Sequence, residues 1–193
     1  MTDNVVRFLA VLGVVGQVLL AALLVLLALH LLGRPGPLAA VRSAIWGYEL
    51  WLAFLVTGIA TAGSLFFSEV ADFIPCELCW FQRFVMYPLA GITFVAALLN
   101  AHWAARWLLP VPLVGAAISV YHLLVENRVV EQTDACLVSA PGGCATKWID
   151  EFGYMTIPTL ALTAFALAFS FLLFAALDWR DEGERVATVR LDG

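Results

Sequence analysis

Residues 8–33 read FLAVLGVVGQVLLAALLVLLALHLLG, a run without a single Asp, Glu, Lys or Arg. It exceeds the ~20 apolar residues that cross a bilayer core of ~30 Å. It is also longer than the ~7–15-residue core of a secretory signal. No small-x-small cleavage site follows it, so it reads as an uncleaved membrane helix. Four further charge-free runs lie at 50–68, 84–105, 107–125 and 152–177. The whole chain of 193 residues is 63% hydrophobic and 13% charged, with a mean hydropathy of +0.93. Soluble domains hold an apolar share of ~45–50%, so the expectation is an all-α integral membrane protein with five spanning helices.

Between the spans the punctuation is clear. Arg34-Pro35-Gly36-Pro37 ends the first helix, because proline lacks the N–H that a helix needs. A short surface stretch then leads to the second span. Gly58 and Ala62 form a small-xxx-small face on that span, suited to close helix packing. Pro88 lies inside the third run and is expected to kink it, and residues 100–106 read as a turn into the fourth. The largest polar loop covers 126–151. Within it, Trp148, Ile149 and Phe152 are spaced for a short helix on the membrane surface. The tail from Asp178 is polar, mixed in charge and expected to be mobile.

Four cysteines carry the chemistry. Cys76 and Cys79 stand in Pro75-Cys76-Glu77-Leu78-Cys79-Trp80-Phe81-Gln82-Arg83, where a helix is expected to begin. Helical spacing puts Cys76, Cys79 and Arg83 on one face. A helix N-terminus and a nearby guanidinium both favour thiolate. C-x-x-C alone fits a redox pair, a zinc-ligand pair or a structural pair. Cys136 and Cys144 lie in the long loop on either side of a Pro141-Gly142-Gly143 turn.

Five spans place both pairs and the N-terminus on one side. The other side receives Arg34, Arg42, Arg106, Arg180, Arg185 and Arg190, against Arg7, Arg83, Arg128 and Lys147. Positive-inside counting and the need for an oxidising compartment both put the cysteines outside the cytosol. The net charge of −5 and unclustered basic residues give no sign of nucleic-acid binding.

Two thiol pairs on one face can exchange electrons through mixed disulfides. The loop pair is expected to be the accessible one, open to a soluble partner. The helix pair is better placed for a lipid-soluble two-electron acceptor, for which a quinone is the obvious candidate. Arg83 would stabilise charge developing on its oxygen. His122, near the end of the fourth span, could hydrogen-bond a quinone or relay a proton.

The motif 75–83, with Met86-Tyr87-Pro88-Leu89, Ile118-Ser119-Val120-Tyr121-His122, Gly143-Cys144-Ala145 and Phe152-Gly153-Tyr154-Met155-Thr156-Ile157-Pro158, resembles the DsbB/BdbC family of disulfide-bond formation proteins, nearer the BdbC type. The resemblance implies a four-helix transmembrane bundle over 50–177. Residues 1–49 would add an extra N-terminal helix and linker, and 178–193 a polar tail. It implies that Cys136 and Cys144 pair, and that Cys136 takes the mixed disulfide with a DsbA/BdbD-like thioredoxin-fold oxidase. Cys76 would then exchange with the loop, and Cys79 would face the quinone, ubiquinone or menaquinone. Arg83 and His122 match quinone-site positions, and Gln82 replaces an acidic residue of some members. The setting implied is a bacterial plasma membrane whose quinone pool feeds a respiratory chain. The short Cys136–Cys144 loop implies that the whole loop must move for the pairs to exchange. Vitamin K epoxide reductase-like enzymes use similar parts, but there the loop pair precedes the C-x-x-C. A zinc site built from all four cysteines and a membrane protein with structural disulfides are the remaining alternatives.

Overall fold

The computed structural model describes residues 2–34 and 36–191, with side chains through Leu177. Eight α-helices are described: α1 (Thr2–Leu31), α2 (Gly36–Ile45), α3 (Glu49–Glu69), α4 (Glu77–Leu98), α5 (His102–Leu108), α6 (Pro110–Glu126), α7 (Asp134–Ser139) and α8 (Ile157–Leu191). A 3-10 turn spans Gly143–Ala145, and among the described residues there is no strand beyond one isolated bridge, Glu151 with Met155. Among the described residues, five stretches are long and apolar enough to cross a membrane: α1, α3, α4, α5 with α6, and Ile157–Leu177 of α8. In lipid each backbone N–H and C=O must be satisfied within its own helix, which is why apolar runs of this length take this form.

Several boundaries differ from the hydropathy reading. The third charge-free run begins at 84, but α4 starts at Glu77, at the C-x-x-C where a helix is expected to begin, so Arg83 lies within the span. The expected turn at 100–106 shrinks to Leu99, Asn100 and Ala101, and Asn100 adopts φ 49°. Helix α5 then starts at His102, and α6 opens at Pro110, whose missing N–H costs nothing at a first helical position. The surface helix expected around Trp148 is absent. Positive φ at Phe152 (58°) and Gly153 (76°) turns the chain there, and α8 starts only at Ile157. Past Leu177, α8 stays helical to Leu191, through the stretch expected to be a mobile tail.

Helix α1 ends as a glycine-capped helix should. Gly33 takes φ 83°, and the Arg34 N–H returns to the Leu29 carbonyl at 2.9 Å. Helices α3, α4, α5, α6 and α8 then form the bundle. Its inner core is rich in small residues, with Ala53, Ala96, Ala97, Ala105, Ala168 and Ala175 packed around Leu50, Leu89 and Leu172. Small side chains let helices approach where water supplies no hydrophobic drive. Gly115 of α6 seats the ring of Phe165 of α8, and a Cβ there would collide with it. Between α3 and α4 the buried hydroxyls of Thr57 and Thr93 lie 3.2 Å apart, and each also bonds back to its own helix.

Both cysteine-bearing segments sit at the end of the bundle that also holds the start of α1. There Val6 packs with Phe67 and Ile149, and Arg7 approaches Glu151 at 3.9 Å. At the other end, the buried Glu49 accepts the Gly47 N–H at 3.0 Å and lies 4.0 Å from His102 Nδ1.

A candidate thiol relay at the mouth of a membrane cavity

Cys76 is the N-cap of α4. Its sulfur accepts the Cys79 N–H at 3.3 Å, so the C-x-x-C spacing does the work that serine or aspartate does at most helix starts. The Cys76 and Cys79 sulfurs lie 2.7 Å apart, unbonded. Hydrogen bonding from Cys79 is the largest cause that lowers the Cys76 thiol from 9.0 to about 5. Burial opposes it, and His122 adds a hydrogen bond and an electrostatic contribution. Cys76 therefore rests as a thiolate at neutral pH.

Cys136 and Cys144 are bonded to each other, with Cα atoms 5.3 Å apart. Their loop is compact. Thr133 caps α7 by accepting the Cys136 N–H at 3.2 Å, and Gln132 Oε1 accepts the Ala145 N–H at 3.1 Å. Gly142 and Gly143, at φ 78° and 72°, make the turn between the cysteines. The Glu77 N–H donates to Ser139 Oγ at 3.1 Å, and that hydroxyl donates to the Cys136 carbonyl at 2.8 Å. The loop is thereby pinned to the start of α4, and Cys76, Leu78, Val125, Cys136 and Cys144 form one buried cluster.

This overturns the expectation that the loop pair is the accessible one. Cys136 and Cys144 are each 1% exposed, whereas the adjacent Val138 is 86% exposed. The compact loop has already brought its disulfide into the cluster that holds Cys76.

His122 stands between the two pairs. Its Nε2 donates to the Cys144 carbonyl at 3.1 Å and lies 3.7 Å from Cys76 Sγ. Its Nδ1 is buried without a hydrogen-bond partner. A void the size of one water adjoins Cys76, Cys79, His122 and Glu126. Glu126, one helical turn from His122, accepts the Thr156 hydroxyl at 2.8 Å. Its buried position beside the thiols was not singled out from the sequence, although the i, i+4 spacing to His122 was visible there.

On the other side of the pair, Cys79 lines a cavity of about 340 Å³. Gln82, Arg83, Ser64 and Tyr87 line the same cavity, and its remaining walls are largely aliphatic. The Arg83 Nη2 donates to the Ser64 carbonyl at 2.9 Å, and the guanidinium lies 5.3 Å from the Trp80 ring centroid. With five N–H donors on its fork, Arg83 keeps donors for a ligand. Gln82 is held by its amide, which donates to Ser119 Oγ at 3.0 Å. His122 and Cys76 are not among the residues lining this cavity.

A matching family model, described as disulfide bond formation protein DsbB, covers residues 47–176. The chain belongs to the DsbB family. It is 42% identical over 125 residues to disulfide bond formation protein C of Bacillus subtilis, covering 64% of this chain and 88% of that one. It is 41% identical over 138 residues to a probable disulfide formation protein of Deinococcus radiodurans, covering 68% and 87%. A probable disulfide formation protein of Metapseudomonas resinovorans is 36% identical over 119 residues, covering 61% and 82%. No solved structure matches. As a DsbB-family chain with five apolar helices, it is a multi-pass membrane protein of disulfide-bond formation. Helix α1 lies wholly outside the matched segment.

Proposed function

We propose that this protein reoxidises a thioredoxin-fold dithiol oxidase outside the cytosol and passes its two electrons to a membrane quinone. The observation that carries this reading is the split placement of the C-x-x-C. Cys76 belongs to the buried cluster of the loop disulfide, and Cys79 lines the apolar cavity beside Arg83.

The steps balance as thiol–disulfide exchange. A thiolate of the partner attacks Cys136, breaking the Cys136–Cys144 bond and forming a mixed disulfide. The partner's second thiol resolves it, leaving an oxidised partner and a reduced loop pair. A loop thiolate then attacks Cys76 of an oxidised Cys76–Cys79 pair, and Cys79 departs as thiolate. Closure of the loop disulfide leaves the inner pair reduced. A quinone, when bound, supplies a two-electron, two-proton acceptor. Cys76 and Cys79 would close to a disulfide as the two electrons leave, and Arg83 would offer positive charge where the acceptor oxygen gains negative charge. His122, with Nε2 3.7 Å from Cys76 Sγ, holds the Cys76 thiolate, and the proton carried by Cys79 leaves to the acceptor as the pair closes. Because the loop pair is buried, docking of the partner must first lift α7 from the start of α4.

The test mixes purified protein, a quinone and a reduced thioredoxin-fold dithiol protein, and follows quinone absorbance. Reduction that depends on Cys79 is the expected result. No reduction, or full activity after Cys79→Ala, overturns the reading.

One observation favours a second reading. The donor atoms of Cys76, Cys79 and His122 lie within 4.8 Å of one another, close enough for one metal ion. The Cys136–Cys144 bond removes the other two cysteines as metal ligands, so a zinc site of four cysteines does not fit this state. Stoichiometric zinc in the purified, reduced protein, retained during turnover assays, would favour the metal over the relay.

A further inference from the structure

Helix α1 is more than an anchor. Gly13 and Gly16 bring it hard against α8, since a Cβ on Gly13 would strike Leu160 and one on Gly16 would press on Thr163 and Leu167. Gln17, a polar residue within the apolar run, is fully engaged with the neighbouring segment. Its amide donates to Thr163 Oγ1 at 3.4 Å, and its carbonyl accepts the Tyr154 hydroxyl at 3.1 Å. Near the cysteine-bearing end, Leu9 packs over Gly63 of α3. Helix α1 is thus fixed in position and turns a flank of Leu9, Leu12, Val15 and Leu19 to the cavity that holds Cys79 and Arg83.

The rim is uneven. Toward Cys79 the wall is built by Leu9, Phe67, Phe73 and Trp148, with Ile74, 46% exposed, at its outer rim. Deeper along the helices, Val15, Leu19, Leu55 and Ile59 line the cavity while being 49%, 50%, 54% and 40% exposed. Such residues border an opening, and at that depth it faces lipid. Between Ser64, beside Arg83, and Leu55 at the opening run roughly 14 Å of helix. The cavity therefore has a polar end beside Arg83 and an apolar opening toward Leu55.

We infer that α1 is a wall of the acceptor site, and that Val15 and Leu19 of α1 with Leu55 and Ile59 of α3 form a lateral portal for the polyprenyl tail of a lipid quinone. This rests on the quinone-reductase reading above. The wall comes from a helix outside the family-matched segment, so it adds selection for the tail without altering the thiol machinery.

The test narrows the portal with Leu19→Trp and Ile59→Trp, singly and together. These side chains border lipid, so the substitutions leave the core intact. Each variant is reconstituted in lipid nanodiscs with a reduced thioredoxin-fold partner. KM is then measured for a polyprenyl quinone and for the same ring bearing a methyl in place of the tail. The double variant should raise KM for the tailed quinone about tenfold, since several tail carbons lose their contacts. KM for the tailless ring should stay within about twofold. A single-turnover reduction of Cys136–Cys144 by the partner should be unchanged and reports that each variant is folded. An equal change for both quinones, or none for either, overturns the role of α1. Wild-type protein that reduces neither quinone while its loop disulfide still exchanges overturns the underlying reading instead.

Discussion

The two cysteine pairs lie in one buried cluster yet differ in nearly every physical respect. Cys136 and Cys144 are bonded, eight positions apart, and closed in by a loop whose turns and caps leave each 1% exposed. Cys76 and Cys79 are unbonded, three positions apart on the first turn of a membrane helix, with Cys79 turned to an apolar cavity. The loop pair is governed by access, because reaching it requires α7 to lift. The helix pair is governed by charge, because a cap, a neighbouring thiol and an imidazole set which sulfur carries the negative charge. In the proposed relay, it is placement that gives the two pairs different tasks.

The largest expected effect separates the pairs outright. Cys79→Ala should lower quinone reduction by at least about 1,000-fold, as loss of a reacting group does. A mixed disulfide between Cys136 and the partner should still form and be visible on a non-reducing gel. The double change Cys136→Ser with Cys144→Ser should do the reverse: partner oxidation is lost, while a small dithiol still drives quinone reduction through Cys76 and Cys79. If either variant abolishes both reactions, the division is wrong.

Next in size, Arg83→Gln should reduce turnover with quinone about 100-fold, the usual cost of a donor aimed at developing negative charge. Stopped-flow reduction of the loop disulfide by the partner should not change. Ser139→Ala tests access. It removes the hydroxyl that joins the Glu77 N–H to the Cys136 carbonyl, a contact worth about 1 kcal/mol. Reduction of the Cys136–Cys144 bond by a small thiol should then quicken about fivefold, measured by timed alkylation and mass spectrometry.

The smallest effect concerns charge. In the reduced protein the Cys76 thiol titrates near 5 instead of 9.0. Between those values the unfolded chain holds a proton that the folded one has released, so stability rises with pH across that window. The contribution is complete above the unfolded value and is lost as pH falls through about 5. Thiolate absorbance at 240 nm should follow the same titration. His122→Ala should move its midpoint upward, because the lowering contribution next in size to the Cys79 hydrogen bond is removed while that bond remains. An unmoved midpoint would mean that His122 does not hold the thiolate.

Much of this was legible in the chain itself. Charge-free runs locate five spans, and helical spacing puts Cys79 and Arg83 on one face, the face that lines the cavity. Hydropathy measures where charge is absent, not where a helix begins. Glu77 and Arg83 cut the third charge-free run back to 84, while the C-x-x-C motif marks the helix entrance where α4 does begin. The loop misleads for another reason. Its polarity promises exposure, but two left-handed glycines and caps from Thr133 and Gln132 fold it shut over its own disulfide. The cavity could not be read at all, since it needs four helices placed together, one of them outside the family-matched segment.

The Thr57–Thr93 contact has a consequence that reaches the far end of the cavity. Helices in lipid slide against each other with little to resist them, and a slip of one residue shifts a side chain by about 1.5 Å along the axis and about 100° around it. The hydroxyl pair acts as an alignment pin between α3 and α4. Two turns from the pin, that alignment sets the Ser64 carbonyl beneath the Arg83 guanidinium and the Ser64 hydroxyl before Tyr87. The bearing of the Arg83 guanidinium on the cavity is thus set by two threonines that never touch it.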